Sequence, residues 1–157
     1  MRRELQADIL LGAYGQGIFP MAMEDGELGW FSPDPRAILP LDGFHVSKNL
    51  RRRCASGKFS VTVNQDFPAV IAACGWRREG TWISPEIAEA YTTLHELGFA
   101  HSVETRLDDS LVGGLYGVTL GGAFFGESMF HRATDASKVA LVFLVDRLKA
   151  RGFSLLD

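Results

Sequence analysis

Gly121-Gly-Ala-Phe-Phe-Gly-Glu-Ser-Met-Phe130, followed shortly by Asp135-Ala-Ser-Lys138, is the stretch that decides the fold of this chain. Its first segment is apolar and aromatic and predicts a strand, and its second opens an apolar helix over residues 136–151. Within the strand stands one carboxylate, Glu127. An ionised carboxylate among apolar side chains is costly unless a partner accompanies it. Glu127 therefore lies either on the wet face of an antiparallel sheet or in a pocket.

The residues on either side of this stretch predict a sheet covered by helices. Upstream, Ser84-Pro85 is typical of a helix start, with a serine N-cap and a proline in the first turn. Farther along, glycines in the strand predicted over residues 111–118 allow another backbone or a ligand to come close. Together these elements predict an α+β fold class. We expect strands over residues 100–105 and 111–118, then the quoted strand, the apolar helix buried, and a last strand over residues 153–156.

The order strand, strand, helix, strand is that of an acyltransferase core, in which the last two strands splay apart around a substrate.

The first half of the chain is less regular than the second. We therefore divide the chain into an N-terminal helical and loop segment, residues 1–50, and a sheet domain, residues 51–157. In this first half and its continuation we expect a helix over residues 4–14, a loop over 21–39, a helix capped by Ser47, a strand over 59–63, and a helix from Asp66 to Gly75.

The composition is that of an ordinary globular domain. The chain has 157 residues, 46% of them hydrophobic and 22% charged, and a net charge of −3, which excludes nucleic-acid binding by the whole surface. Cys54 and Cys74 form no metal-binding pattern, and the four histidines are scattered, so no metal site is predicted. No apolar run is long enough to span a membrane. We therefore expect a cytoplasmic protein that does not bind membranes.

A run of positive charge interrupts this acidic chain. Lys48, Arg51, Arg52 and Arg53 fall within the helix that Ser47 is expected to cap. Such a run is usually a solvated helix face. Its contrast with the net charge of the chain also makes a contact with a nucleic-acid backbone a hypothesis worth testing.

Several short motifs, taken together, resemble the leucyl/phenylalanyl-tRNA–protein transferases, and the resemblance spans nearly the whole chain. The matching residues are Ala13-Tyr14, Gly17-Ile-Phe-Pro20, Phe31-Ser-Pro-Asp-Pro-Arg36, Gly80-Thr-Trp-Ile83, Ala90-Tyr91, Leu94-His-Glu-Leu-Gly98, Ala100-His-Ser-Val-Glu104, Leu111-Val-Gly-Gly114, Tyr116-Gly117, Gly126-Glu-Ser-Met-Phe130, Ala136-Ser-Lys138 and Leu156-Asp157.

This resemblance implies an aminoacyltransferase of N-end-rule protein degradation. Such an enzyme moves Leu or Phe, with Met as an additional candidate donor, from aminoacyl-tRNA to the N-terminal Arg or Lys of a protein. The implied fold of residues 51–157 is that of the acyl-CoA N-acyltransferases (GNAT-like), with aminoacyl-tRNA in place of the thioester. The resemblance implies no metal and no dissociable cofactor, and we expect a monomer. Because the donor ester is already activated, the reaction needs positioning and proton removal rather than a covalent nucleophile.

The resemblance also implies roles for individual residues. Glu127 and Asp157 are the implied catalytic carboxylates, Glu127 beside the terminal adenosine and Asp157 near the proton of the attacking amine. Trp82 is expected to stack near the adenine. Lys48 and residues 51–53 are expected to face the tRNA acceptor stem. The remaining expected substrate-binding residues are Tyr14, Leu115, Phe124, Ser128, Met129, Leu141, Leu144 and Leu148.

The chain departs from the family pattern at two places. Met21 stands where the family usually has a tryptophan that helps to hold the terminal nucleoside. The family's chains also continue beyond the Leu-Asp pair with a glutamine and several tens of residues, so the C-terminal part of the domain is expected to be missing here. Two alternatives therefore stay open: an inactive tRNA-binding fragment, and an acetyl-CoA-dependent N-acetyltransferase, although residues 131–138 contain no glycine-rich pyrophosphate loop.

Overall fold

The computed structural model describes residues 3–76 and 80–157. A short 3-10 turn, Arg3–Leu5, precedes five α-helices and seven strands in this part of the chain. The helices are α1 (Ala7–Gly15), α2 (Lys48–Ala55), α3 (Phe67–Gly75), α4 (Pro85–Glu96) and α5 (Ala136–Ala150). The strands are β1 (Phe19–Ala22), β2 (Leu28–Phe31), β3 (Ser60–Val63), β4 (Ala100–Leu107), β5 (Ser110–Leu120), β6 (Ala123–His131) and β7 (Leu155–Leu156).

Three helices begin at the residues that the sequence predicts. The side chains of Ser47, Asp66 and Ser84 each accept a hydrogen bond from the backbone N–H three residues later, at 3.2, 3.3 and 3.2 Å. Each bond satisfies one of the N–H groups that a helix leaves without an internal partner. The N-cap predictions for α2, α3 and α4 are confirmed.

Strands β3 to β7 form one mixed sheet in the order β3-β4-β5-β6-β7. The first three pairings are antiparallel, and only the pairing of β6 with β7 is parallel. Helices α1, α3 and α4 pack on one face of the sheet, and α5 packs on the other. This arrangement confirms the predicted α+β class.

The prediction of a loop over residues 21–39 is wrong for its first part. Strands β1 and β2 pair there as an antiparallel hairpin, from Phe19 opposite Phe31 to Ala22 opposite Leu28. The turn between them contains Gly26, which has a φ of +82°, and the side chain of Asp25, which accepts from the backbone N–H of Glu27 at 2.9 Å. An Asp-Gly pair between apolar residues is a hairpin signal, and this signal outweighs the acidic character of the segment.

Helix α5 is apolar nearly all round, but only one side of it is deeply buried. Val139, Ala140 and Leu144 face the sheet and belong to the core, whereas Leu141 is only half-buried. The close contact of α5 with the sheet depends on Gly113, because a Cβ at that position would collide with Ala136. The absence of a side chain at Gly113 thus allows α5 of the same chain to pack closely on the sheet.

The site lies where β6 and β7 meet. Ala123 pairs with Leu155 and Phe124 pairs with Leu156 in parallel. The Gly126 N–H also donates to the Asp157 carbonyl oxygen at 2.9 Å. Beyond Gly126, β6 borders a cleft above α5.

Candidate active site

Glu127 is the extra residue of a β-bulge in β6. In the pairing of β5 with β6, Tyr116 lies opposite Ser128, and Gly117 lies opposite Gly126, so Glu127 has no partner on β5. A bulge bends the strand and redirects the side chain of the inserted residue, which is why bulges are frequent beside active sites. The bulge turns Glu127 toward α1, where the hydroxyl of Tyr14 donates a hydrogen bond to its Oε1 atom.

The environment of Glu127 favours its neutral form. The side chain is half-buried, with protein packed beneath it and one side open to a cavity. Burial raises the pKa of Glu127 to about 7, the hydrogen bond from Tyr14 lowers it, and the nearby charges of Asp157 and Arg36 raise and lower it respectively. Glu127 can therefore gain or lose a proton close to neutral pH.

Beneath Glu127 lies a buried group of tyrosines. The hydroxyls of Tyr14 and Tyr91 are 2.5 Å apart, and since the hydrogen of Tyr14 goes to Glu127, Tyr91 donates to Tyr14. Burial, followed by the charge of Glu127, raises the pKa of Tyr14, Tyr91 and Tyr116 well above the usual range. All three tyrosines stay protonated, and Tyr14 and Tyr91 act as donors. The hydroxyl of Tyr116 is buried and has no hydrogen-bond partner among the described residues.

The cleft between β6 and the end of β7 is a cavity of about 600 Å³, which we name the main cavity. Its lining brings together eight of the residues that the sequence predicts for the site. These are Trp82, Leu115, Glu127, Ser128, Met129, Leu141, Leu144 and Asp157. The rest of the wall comes from Tyr116, Gly126, Leu156 and residues 37–39, whose contribution the sequence did not indicate.

Phe124 and Leu148, which were expected to bind substrate, do not line the main cavity. Phe124 is paired with Leu156, and Leu148 lies one helical turn beyond Leu144. Both side chains are buried in the core, and both line a separate cavity of about 230 Å³. Tyr14 also lies outside the lining of the main cavity, and it contacts the site through its bond to Glu127.

A second cavity of about 390 Å³ adjoins the main one. The two share Ala37, Trp82, Gly126, Glu127 and Asp157. The carboxylates of Glu127 and Asp157 thus face both spaces. The other lining residues of the second cavity are Phe19, Met21, Pro33, Pro35, Arg36 and Phe125.

Arg36 is a site residue to which the sequence assigned no role. Its Nε atom donates to Asp157 Oδ1 at 3.0 Å, and its Nη2 atom is 2.8 Å from Asp157 Oδ2, so the pair is bidentate. Its Nη1 atom donates to the carbonyl oxygen of Gly17, and its guanidinium carbon lies 5.5 Å from the centre of the Phe19 ring. One signal in the sequence could have revealed Arg36, which stands in a motif of the resemblance. Its role follows from the structure, because a mostly buried aspartate requires a cation.

The predicted basic cluster lies on α2, and none of its residues lines either cavity. Lys48, Arg51 and Arg52 are exposed, whereas Arg53 is half-buried. The Nε atom of Arg53 pairs with Asp135 Oδ2 at 3.0 Å, next to the first residue of α5. Three of the four cations therefore face solvent, and the fourth attaches α2 to α5.

Within residues 3–76 and 80–157, His, Cys, Asp and Glu side chains do not gather in groups of three or more that could hold a metal ion. Over the same part of the chain, every helix is too short or too polar to span a bilayer.

Two solved structures with TM-scores above 0.5 support the fold. The structure of L-PGS from Bacillus licheniformis aligns at 13% identity with a TM-score of 0.53, covering 96% of this chain and 49% of that one. A C-terminal domain (DUF2156) from Agrobacterium fabrum aligns at 12% identity with a TM-score of 0.51, covering 96% and 51%. A ribosomal-protein-alanine N-acetyltransferase from Brucella melitensis also aligns, at 18% identity, with a TM-score of 0.46 over 62% of this chain and 77% of that one.

Comparison of sequences identifies the family. The family model described as leucyl/phenylalanyl-tRNA protein transferase matches residues 38–157, and the model of its N-terminal domain matches residues 3–34. The leucyl/phenylalanyl-tRNA–protein transferase of Cereibacter sphaeroides is 58% identical over 151 residues, which are 95% of this chain and 70% of that protein. Those of Ruegeria and Salinibacter ruber are both 56% identical, over 98% and 100% of this chain and 73% and 70% of theirs. The chain belongs to the leucyl/phenylalanyl-tRNA–protein transferase family and is an aminoacyltransferase.

Proposed function

We propose that this enzyme transfers Leu or Phe from aminoacyl-tRNA to the N-terminal Arg or Lys of proteins, which marks those proteins for N-end-rule degradation in the cytoplasm. The single observation that carries the proposal is the main cavity. It combines apolar walls with Glu127, Trp82 and Asp157 at its junction with the second cavity. Its volume, about 600 Å³, is within the range of about 300–1,000 Å³ that is usual for small-ligand sites.

The walls of the main cavity suit the side chain of the donor amino acid. Leu115, Leu141, Leu144 and Met129 present flexible unbranched or γ-branched chains, which leave room for Leu, Phe or Met. Trp82 contributes an aromatic face at the junction of the two cavities, where we place the adenine of the terminal nucleoside. Met21 lines the second cavity, and it packs against the nucleoside without the stacking that an indole provides.

Glu127 is the proposed acceptor of the proton of the amine. The attacking α-amine has a reference pKa near 8, and the pKa of Glu127 is about 7, so transfer between them is close to balanced. The amine nitrogen bonds to the ester carbonyl carbon, and the bond from that carbon to the ribose oxygen breaks. Glu127 takes one proton from the ammonium group before attack and gives it to the departing ribose oxygen, which leaves Glu127 ready for another cycle. The second proton, which the nitrogen loses on forming the amide, goes to solvent.

Asp157 has a positioning role in this proposal. Both of its carboxylate oxygens accept hydrogen bonds from the Arg36 guanidinium, so the carboxylate is held in one position between the two cavities. From that position it orients the N-terminal residue of the acceptor. It also raises the pKa of Glu127 and so strengthens it as a base.

The proposed contacts with the tRNA acceptor stem are Lys48, Arg51 and Arg52. They recognise the stem by the charge of its backbone and by its shape. Arg53 contributes less, because Asp135 already pairs with it. The combined variant K48A/R51A/R52A is expected to weaken tRNA binding and to reduce the slope of log affinity against log salt by about two. Unchanged affinity in this variant would contradict the assignment.

An acetyl-CoA-dependent reaction fits the structure less well. In that reaction the N-terminus of the helix after β6 would receive a pyrophosphate. At α5 this place is taken by Asp135, which adopts a left-handed conformation at φ +66° and pairs with Arg53. The negative charge of that aspartate opposes a second anion there.

The proposed function is tested by supplying the protein with Phe-tRNA and a peptide that begins with Arg, and by measuring the Phe–Arg product. The matched acceptor control is the same peptide beginning with Ala, which is expected to give no product. A second control replaces Phe-tRNA with acetyl-CoA and separates the two acyl donors. Binding of Phe-tRNA without any product, while a relative is active in the same assay, would show a tRNA-binding protein that lacks transferase activity.

A further inference from the structure

A third concave surface lies between the end of α3 and the outer half of β6, and the proposed reaction does not use it. We name it the outer groove. It has a volume of about 590 Å³ and is lined by Ala73, Cys74, Trp76, Met129, Phe130, His131 and Arg132. Met129 lines both the outer groove and the main cavity, so the two spaces are separated by little more than one side chain.

The outer groove presents an aromatic surface to solvent. The side chain of Trp76 is 75% exposed, which is unusual for the largest apolar side chain in a protein whose tyrosines are buried. On the opposite side of the groove, the guanidinium carbon of Arg132 lies 5.3 Å from the centre of the Phe130 ring. An Nη1–H bond of 3.2 Å to the carbonyl oxygen of Leu111 also holds the Arg132 guanidinium. Exposed aromatic rings beside a fixed guanidinium are the usual components of single-strand nucleic-acid sites.

The two sides of the outer groove differ in charge. His131 and Arg132, at the end of β6, are exposed, and none of the seven lining residues is acidic. Trp76 directly follows α3, whose C-terminal carbonyl groups carry a partial negative charge. A phosphate is therefore favoured on the strand side of the groove, beside Arg132, and an uncharged base on the helix side, against Trp76.

The outer groove also lies between the two surfaces that the proposed function assigns to the donor. On one side, Met129 connects it with the main cavity. On the other, Asp135 follows three residues after Arg132 and pairs with Arg53 of α2, the helix that carries the basic cluster. A tRNA whose terminal adenosine is at the junction of the main and second cavities and whose stem is on α2 spans the distance between them with its single-stranded 3′ nucleotides.

We propose that the outer groove binds the single-stranded nucleotides that precede the terminal adenosine of the aminoacyl-tRNA, with a base stacked on Trp76 and a phosphate against Arg132. This inference rests on the proposed function, because it takes aminoacyl-tRNA as the donor. It adds a nucleotide site that recognises a base by its aromatic face and a phosphate by charge, without reading sequence.

Two stable donor analogues test the inference. The short probe is phenylalanine joined through an amide to 3′-amino-3′-deoxyadenosine, and the long probe carries two additional cytidylates on the 5′ side. Dissociation constants are measured by calorimetry for the unchanged protein and for the Trp76→Ala, Trp76→Phe and Arg132→Ala variants. The matched control is Trp30→Ala, which removes a partly exposed indole from β2, outside the outer groove.

We expect Trp76→Ala to weaken the long probe about 5- to 100-fold, the range for loss of one stacked base, without changing the short probe. Trp76→Phe retains a ring and should keep most of the affinity. Arg132→Ala should weaken the long probe and reduce the slope of log affinity against log salt by about 0.7. Trp30→Ala should leave both probes unchanged.

Several results would overturn the inference. One is unchanged affinity of Trp76→Ala for the long probe. Another is an equal loss for both probes, which would indicate damage to the main cavity through Met129. A third is an effect confined to the KM of the acceptor peptide, which would assign the groove to the acceptor. Failure of the short probe to bind the unchanged protein would contradict the proposed function alone, provided that the long probe still binds through Trp76. If neither probe binds, both proposals fail.

Discussion

Glu127 and Asp157 face the same two cavities, but the protein surrounds them differently. Glu127 lies on a bulge of β6 and accepts a hydrogen bond from the uncharged Tyr14, whereas Asp157 follows β7 and is held by a bidentate guanidinium. Burial raises the pKa of Glu127 to about 7, although the hydrogen bond from Tyr14 opposes this shift. Two carboxylates in one site can thus have different roles, one exchanging a proton and the other held in place by an arginine.

The strongest test of this difference is Glu127→Gln. The amide keeps the shape of the side chain but cannot accept the proton of the amine, so we expect the rate of peptide transfer to fall about 10²- to 10⁴-fold. The rate is measured with saturating Phe-tRNA and an Arg-initiated peptide. Glu89→Gln, on the exposed side of α4, is the matched control and should be unaffected. A Glu127→Gln enzyme with a normal rate would remove the proposed base.

Arg36→Gln is expected to have the next largest effect. It leaves Asp157 without its cation and also removes a charge that lowers the pKa of Glu127. We expect a loss of about 1–3 kcal/mol in the free energy of unfolding, less than for a fully buried pair because both side chains are partly exposed. Urea denaturation measures the loss. Arg36→Lys keeps the charge without the bidentate geometry, and its stability should lie between those of the unchanged protein and Arg36→Gln. A fully stable Arg36→Gln protein would refute the importance of the pair.

The pH dependence of stability gives a smaller effect. Because the pKa of Glu127 is about 7 in the folded protein and 4.5 in its reference state, the folded protein binds this proton more tightly. The contribution of Glu127 to stability is therefore complete below about pH 4.5 and is lost as the pH rises to about 7. The half-buried position of the group limits the loss to about 1–2 kcal/mol.

The Glu127→Gln variant isolates this contribution. Unfolding free energies of the two proteins are compared between pH 5 and 8, and their difference should change in favour of the variant as the pH rises. A difference that is constant over this range would show that the pKa of Glu127 is not raised.

The smallest expected effect is that of Tyr14→Phe. The hydroxyl of Tyr14 donates to Glu127 and lowers its pKa, so its removal should raise that pKa further. The acidic limb of the pH–rate profile should then move to higher pH, with transfer several-fold slower near pH 6 and nearly unchanged above pH 8. Tyr91→Phe removes a donor to Tyr14 and should move the limb less. A slower rate at every pH without a displaced limb would indicate a purely structural role for Tyr14.

Much of the fold follows from signals that act over a few residues. The caps at Ser47, Asp66 and Ser84 depend on hydrogen bonds to the next turn, and they lie where the sequence predicts them. The β1–β2 hairpin was missed although its Asp-Gly turn is equally local. The depth of α5 was overestimated because an apolar helix that borders a cleft has the same composition as a fully enclosed one.

The main cavity was predicted in part, and the errors have one cause. Leu144 and Leu148 are one helical turn apart and chemically alike, but only Leu144 lines the main cavity. Which of the two leucines faces the cavity depends on how α5 packs against the sheet, and local patterns do not indicate that packing.

Local order in the amino-acid sequence was enough to place most helices and strands, to identify the family motifs and to single out Glu127 as an unusual carboxylate. The functional pairs required the folded chain. Tyr14 and Glu127 are 113 residues apart, and Arg36 and Asp157 are 121 residues apart. Hydrogen bonds and charge pairs act over a few ångströms, so the protonation behaviour of these groups is set by whichever side chains folding brings to that distance.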